Sequence, residues 1–194
     1  MGEHAVVAPK DRAAWRRWLQ THHAQPAGVW LLVRKKGSTQ PGVPYEEAVE
    51  EALCFGWIDS RANTLDADHF KLWFVPRKAK SVWSTINKAR IERLIADGRM
   101  TPAGLAKIEA AKADGSWSSL DALEDLTVPG DLGAALDAAP PARANYDAFP
   151  KGTRKQILYW IRDAKRSETR AKRIAETARL AAENIRVTEW RPKE

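Results

Sequence analysis

The stretch from Phe74 to Asn87 carries Arg77, Lys78, Ser81, Trp83, Ser84 and Asn87 in close succession. Its pattern predicts a strand that ends and a helix that begins. At such a junction backbone N–H groups lack intrahelical partners and the helix dipole favours negative charge. Arg and Lys just ahead of the helix add full charges. The combination suits a phosphate, a carboxylate or a nucleic-acid backbone. Asp59, two residues after Trp57 on an earlier strand, adds a carboxylate. Trp57, Trp73 or Trp83 offers a ring for stacking on a flat group. The candidate ligand-binding set is therefore Trp57, Asp59, Arg77, Lys78, Ser81, Trp83, Ser84 and Asn87. The same residues also suit structural roles: Ser81 or Ser84 as a helix cap, the tryptophans as core, and Asp59 as an ion-pair partner of Arg77.

Other chemistries have thinner support. Cys54 lies beside Leu53 and Phe55 on the apolar side of a helix, where a thiol behaves as a small hydrophobe. His22 and His23 end the first helix, and no spacing ties either to Cys54 or Ser60. No catalytic residue is assigned. Glu46 with Glu50, and Glu47 with Glu51, are i,i+4 carboxylate pairs that can hold a hard cation loosely. A solvated acidic helix face explains them better, and no Cys/His ligand spacing is present. No metal or cofactor is expected.

The elements that would position these groups follow from periodicity and punctuation. Residues 11–24 predict a helix with Trp15, Trp18 and Leu19 on one face. Residues 28–35 predict a buried strand. Residues 44–55 predict a helix opened by Pro44 and closed by Gly56, with Ala48, Val49, Ala52 and Leu53 inward and Glu46, Glu47, Glu50 and Glu51 outward. Residues 57–63 and 69–75 predict a hairpin. Two helices follow, one ending near Gly98 and one started by Thr101 and Pro102. Residues 116–129 read as a connection with little regular structure. Residues 131–138 and 141–149 are short helices. Thr153 with Gln156 reads as a capping box, and Ser167 as the cap of a final helix. The last ten residues are expected to fray.

Charge is unevenly spread. Residues 151–194 hold 13 Lys/Arg against 6 Asp/Glu, whereas residues 1–150 hold 19 of each. A basic segment on a neutral body points to an anionic partner: nucleic acid, lipid headgroups or an acidic protein face. Lys155, Arg162, Lys165, Arg166, Lys172, Arg170, Arg173 and Arg179 would form a stripe, with Ile157, Ile161, Ala164, Ile174 and Ala178 packing on the body. One cysteine permits no internal disulfide, which fits a reducing cytosol. Residues 1–10 have no apolar signal-peptide core, and no apolar run approaches the roughly 18 residues of a membrane span. Cytoplasmic location is the expectation.

Three motifs carry a family resemblance. They are Ala52-Leu53-Cys54-Phe55-Gly56-Trp57-Ile58-Asp59-Ser60; then Phe74-Val75-Pro76-Arg77-Lys78 with Ser81-Val82-Trp83-Ser84 and Asn87; then Gly98-Arg99-Met100-Thr101-Pro102-Ala103-Gly104 with Ile108-Glu109-Ala110-Ala111-Lys112. Trp160-Ile161, Ala164-Lys165-Arg166, Glu168-Thr169-Arg170 and Arg173-Ile174 extend it. The chain resembles the YdeI/OmpD-associated, or bacteriocin-protection, family from about Trp15 to Ala182. The resemblance implies an association with bacterial stress and resistance to antimicrobial peptides, without implying a reaction. It also implies a distant likeness to small proteins proposed as frataxin-like iron carriers.

The expected architecture is α+β: a small, mainly antiparallel sheet flanked by helices, with an all-helical basic C-terminal segment. The expected divisions are a body at 1–115, a connecting segment at 116–140 and a helical domain at 141–194. The leading functional expectation is a non-enzymatic stress or resistance protein that binds an unknown anionic partner through the basic junction and tail. The alternatives are an enzyme acting on a small anion at Asp59, Arg77 and Ser84, and a metal carrier.

Overall fold

Apolar residues that alternate along one segment, Val29, Leu31 and Val33, make it the centre of a sheet. The computed structural model describes residues 5–187, and the chain divides into two units, Met1–Ser119 and Leu120–Glu194. The first unit contains β1 (Val6–Val7), α1 (Arg12–His22), β2 (Val29–Arg34), β3 (Val43–Pro44), α2 (Tyr45–Cys54), β4 (Trp57–Thr64), β5 (His69–Pro76), α3 (Thr85–Ala96) and α4 (Pro102–Ala113). The sheet runs β1-β2-β5-β4, with β3 also on β2. β5 is antiparallel to β2 and β4, while the two-residue strands β1 and β3 pair in parallel with opposite halves of β2. The fold is the expected α+β class.

The inward side chains of β2 and β5, Leu72 and Phe74 among them, share one core with Trp15 and Leu19 of α1 and Ala48, Val49, Ala52 and Leu53 of α2. Trp15 donates its indole N–H to the Ala48 carbonyl at 3.1 Å, which satisfies the one polar atom that burial would otherwise strand. Asp11 caps α1 by accepting from the Ala14 N–H at 2.7 Å.

One outward assignment on α2 is corrected. Glu51 is fully buried. It stands three residues after Ala48 and four before Phe55, so it shares their face of the helix. The charge is tolerated because three guanidinium groups meet it: Arg12 Nε at 2.6 Å, Arg16 Nη1 at 2.6 Å, and Arg99. Arg16 also donates to the Arg99 carbonyl at 2.9 Å. Glu51 therefore ties α1, α2 and the α3–α4 turn together.

The start of α4 rests on the end of α2. Thr101 caps α4, and both its hydroxyl and its N–H donate to the Cys54 carbonyl, at 2.6 and 3.2 Å. Gly104 packs so closely that a β-carbon there would run into the same carbonyl.

The second unit contains α5 (Asp121–Glu124), α6 (Gly130–Asp137), α7 (Ala142–Ala148), α8 (Lys151–Arg162) and α9 (Ser167–Ala182). Residues 120–140, most of the segment 116–140 read from sequence as a connection with a short helix, supply Leu120, Leu123, Leu132 and Leu136 to its core. Two predicted caps are corrected. α8 begins at Lys151 after Pro150, so Thr153 and Gln156 lie within it. Ser167 is the first helical residue of α9, and Arg166 occupies the cap position. The expected fraying of the last ten residues falls largely on 188–194, outside the described residues.

Replacing Glu51 by Gln leaves three arginines around a neutral group. It is expected to cost about 3–5 kcal/mol, the scale for breaking a buried ion pair, read as a lowered urea midpoint. Gly104→Ala is expected to cost about 1–3 kcal/mol by overpacking. A Gly104→Ala protein with unchanged stability would contradict the close α2–α4 contact.

Candidate functional site

Arg77 leaves β5 with its backbone N–H bonded to the Gly56 carbonyl at 2.9 Å. Its side chain then turns inward and is only 4% exposed. The guanidinium lies over the Trp83 ring, 3.4 Å from the centroid, a favourable cation–π arrangement. Nη1 donates to the Val82 carbonyl at 3.2 Å. Nε has no acceptor, and no carboxylate within 4.0 Å pairs with Arg77 among the described residues. Burial pulls the group down to about 10, against the opposing attraction of the Asp59 charge. Arg77 therefore stays cationic at neutral pH, in an environment that does not fully compensate it.

A cavity of ≈ 90 Å³ opens beside it, lined by Arg77, Lys78, Lys80, Ser81, Trp83, Lys107 and Asp114, with alanines between them. Lys80 adopts φ 61°, a conformation uncommon for a side-chain-bearing residue. Its N–H is held by Asp114 Oδ2 at 3.1 Å. Asp114 Oδ1 accepts from the Ser116 N–H at 2.9 Å. Backbone donors thus engage both oxygens of this lone carboxylate. The Lys107 stem passes next to Gly56, where a β-carbon would collide with it.

The structure brings Arg77, Lys78, Ser81 and Trp83 together and places the other predicted residues elsewhere. Trp57 is buried, with its indole N–H on the His23 carbonyl at 2.9 Å. Asp59 accepts from the Tyr45 hydroxyl at 3.3 Å and shares no hydrogen bond or ion pair with Arg77 or Ser84. Ser84 caps α3 by accepting from the Asn87 N–H at 3.3 Å. Asn87 accepts from Arg90 at 2.8 Å. Trp73 lies cross-strand from Trp30, with the Arg61 guanidinium 5.1 and 5.4 Å from the two rings. Sequence reading missed Lys80, Lys107 and Asp114. The last two come from the middle and the C-terminal cap of α4, about thirty residues downstream, and the glycine within that helix, Gly104, was the one local sign of close packing.

The acidic face of α2 is occupied by arginines. Glu46 pairs with Arg90, Glu50 with Arg12 at 2.9 Å and with Arg93, and Glu51 with its three partners. Three of the four carboxylates proposed for cation binding are thus already neutralised.

The basic residues of the second unit fall into two groups. Lys155 pairs with Glu124 at 2.6 Å, Arg170 is bidentate on Asp131 at 2.8 and 2.9 Å, and Arg179 pairs with Glu176 and Glu183. Arg173 donates to the Trp160 carbonyl and covers the Trp160 ring. Arg162, Lys165, Arg166 and Lys172 are exposed, with no ion pair among the described residues. The apolar residues of these helices differ from expectation in their setting. Ile157, Ile161, Ile174 and Ala178 bury within the second unit's own core, beside Leu132, Leu136 and Tyr146.

Cys54 is buried at the end of α2, and burial, followed by the charge of Glu51, pushes its thiol up. A raised thiol is a poor nucleophile at neutral pH. Native protein is expected to leave a disulfide-exchange reagent unreacted at pH 8 and to react once with it in denaturant. Rapid native labelling would show the thiol to be accessible.

Comparison with known proteins agrees with the two-unit division. Residues 7–107 match a domain of unknown function, DUF8412. Residues 125–184 match the domain described as bacteriocin-protection, YdeI or OmpD-associated. No curated protein and no solved structure shows significant similarity. The chain belongs to the DUF8412 family through its first unit and carries the bacteriocin-protection, YdeI or OmpD-associated domain in its second.

Proposed function

We propose that this is a non-enzymatic bacterial protection protein, acting in the cytoplasm, that binds an anionic partner. Contact is made through the Arg77 cavity of the first unit and the unpaired cations of the second. The observation that carries the reading is the state of Arg77. A guanidinium taken out of water is costly unless it is paired and hydrogen-bonded. The Arg77 guanidinium has one hydrogen bond, one aromatic face and, among the described residues, no carboxylate partner. An anion entering the cavity supplies the missing partner. Arg162, Lys165 and Arg166, gathered at the turn between α8 and α9, add attraction that requires no particular sequence or shape. The family description of bacteriocin protection supports a role in resistance.

The enzymatic alternative requires Asp59, Arg77 and Ser84 to act on one group. Asp59 is engaged with Tyr45, and Ser84 with the start of α3, so no contact favours it.

The reading is tested by capture from a bacterial lysate, with and without nuclease and across a salt series. Arg77→Ala is expected to lower the captured partner severalfold. Charge reversal at Lys165 and Arg166 is expected to lower it too and to flatten its salt dependence. Tight capture indifferent to both changes and to salt would overturn the proposal.

A further inference from the structure

We infer that the group bound in the Arg77 cavity is the dianionic phosphoryl head of a phosphomonoester, with the rest of the molecule remaining outside. The inference rests on the anion-binding reading above and names the chemistry of its ligand.

Size is the first reason. The ≈ 90 Å³ cavity is about three times the ~30 Å³ share of one water in the liquid. That is room for a tetrahedral oxyanion. Charge is the second. Arg77, Lys78, Lys80 and Lys107 line the cavity against Asp114 alone. The carboxylate oxygens of Asp114 already accept from the Lys80 and Ser116 N–H groups. A monoanion would leave most of this positive charge uncompensated, whereas a dianion neutralises more of it.

The geometry of Arg77 is the third reason. Nη1 is committed to the Val82 carbonyl. Nε has no acceptor although the side chain is almost wholly buried. Arg77 lines the cavity, and a guanidinium edge matches two oxygens of one phosphoryl group. Stacking on Trp83 fixes the plane of that edge. Three lysines then provide point charges for the remaining oxygens. Trp83 and Ala111, both buried, form the apolar wall on one side of the cavity.

Isothermal titration of the full chain with methyl phosphate, inorganic phosphate, dimethyl phosphate and acetate tests the assignment. Methyl phosphate and inorganic phosphate are expected to bind at one site. Dimethyl phosphate, a monoanionic diester like a nucleic-acid or lipid linkage, and acetate are expected to bind at least about tenfold more weakly, the scale of one lost charge-assisted hydrogen bond. Methyl phosphate affinity is expected to rise between pH 5 and 7, as the second phosphoryl ionisation near ~6 completes. Arg77→Met is expected to abolish binding. Because Arg77 is buried, the surface double change Lys78→Gln with Lys107→Gln provides a second variant, expected to weaken methyl phosphate about tenfold or more and acetate less. Acetate or dimethyl phosphate binding as tightly as methyl phosphate, with the same dependence on Arg77, would overturn the phosphomonoester assignment and leave the anion reading standing. Absence of binding by all four, or binding indifferent to both variants, would overturn the two together.

Discussion

A single buried carboxylate organises the helices of the first unit. Glu51 accepts from arginines on α1 and on the turn between α3 and α4, so three separate stretches of chain converge on one residue of α2. A carboxylate in that position is tolerable only because its partners arrive together. The same constraint fixes the end of α2, where the Cys54 carbonyl receives the start of α4. From there α4 carries Lys107 to the cavity, and its C-terminal end holds Asp114 against Lys80. The shape of the cavity thus depends on packing at the C-terminal end of α2, where Glu51 and Cys54 both lie.

Glu51 and Arg77 make an instructive pair. Both are charged and almost wholly buried. One is surrounded by three opposite charges. The other has an aromatic ring, one carbonyl and an unpartnered N–H. Protein interiors rarely leave charge in the second condition, because the lost hydration is repaid by nothing permanent. That imbalance sets Arg77 apart from Glu51 where burial alone would not. It also separates Arg77 from Trp57, Ser84 and Asn87, whose polar atoms are each engaged by the fold.

The second unit distributes its positive charge by a comparable rule. Lys155 and Arg170 meet carboxylates on α5 and α6 and so fasten its helices together. Arg162, Lys165 and Arg166 sit around the turn between α8 and α9, where no carboxylate pairs with them among the described residues. The excess of cations in this part of the chain is therefore partly structural. The exposed cations without an ion pair among the described residues include that cluster and Lys172 on α9.

The amino-acid sequence by itself determined the elements and much of the site's chemistry. Alternation of Val29, Leu31 and Val33 and the pairing of Thr101 with Pro102 are local signals, and they specify a strand and a helix start without reference to anything distant. The clustering of Arg77, Lys78, Ser81 and Trp83 was legible for the same reason, since all four lie on one short segment. Tertiary structure decided what local pattern cannot encode. The outward reading of Glu51 failed because its burial depends on Arg12, Arg16 and Arg99, which lie 39, 35 and 48 residues away. The pairing of Asp59 with Tyr45 instead of Arg77 was set by where α2 begins relative to β4. Lys107 and Asp114 reached the cavity only through the seating of α4 on α2. Periodicity reports which face of an element is apolar, whereas the partners that make a buried charge tolerable, or leave it open to a ligand, come from chain segments that meet only in the folded state.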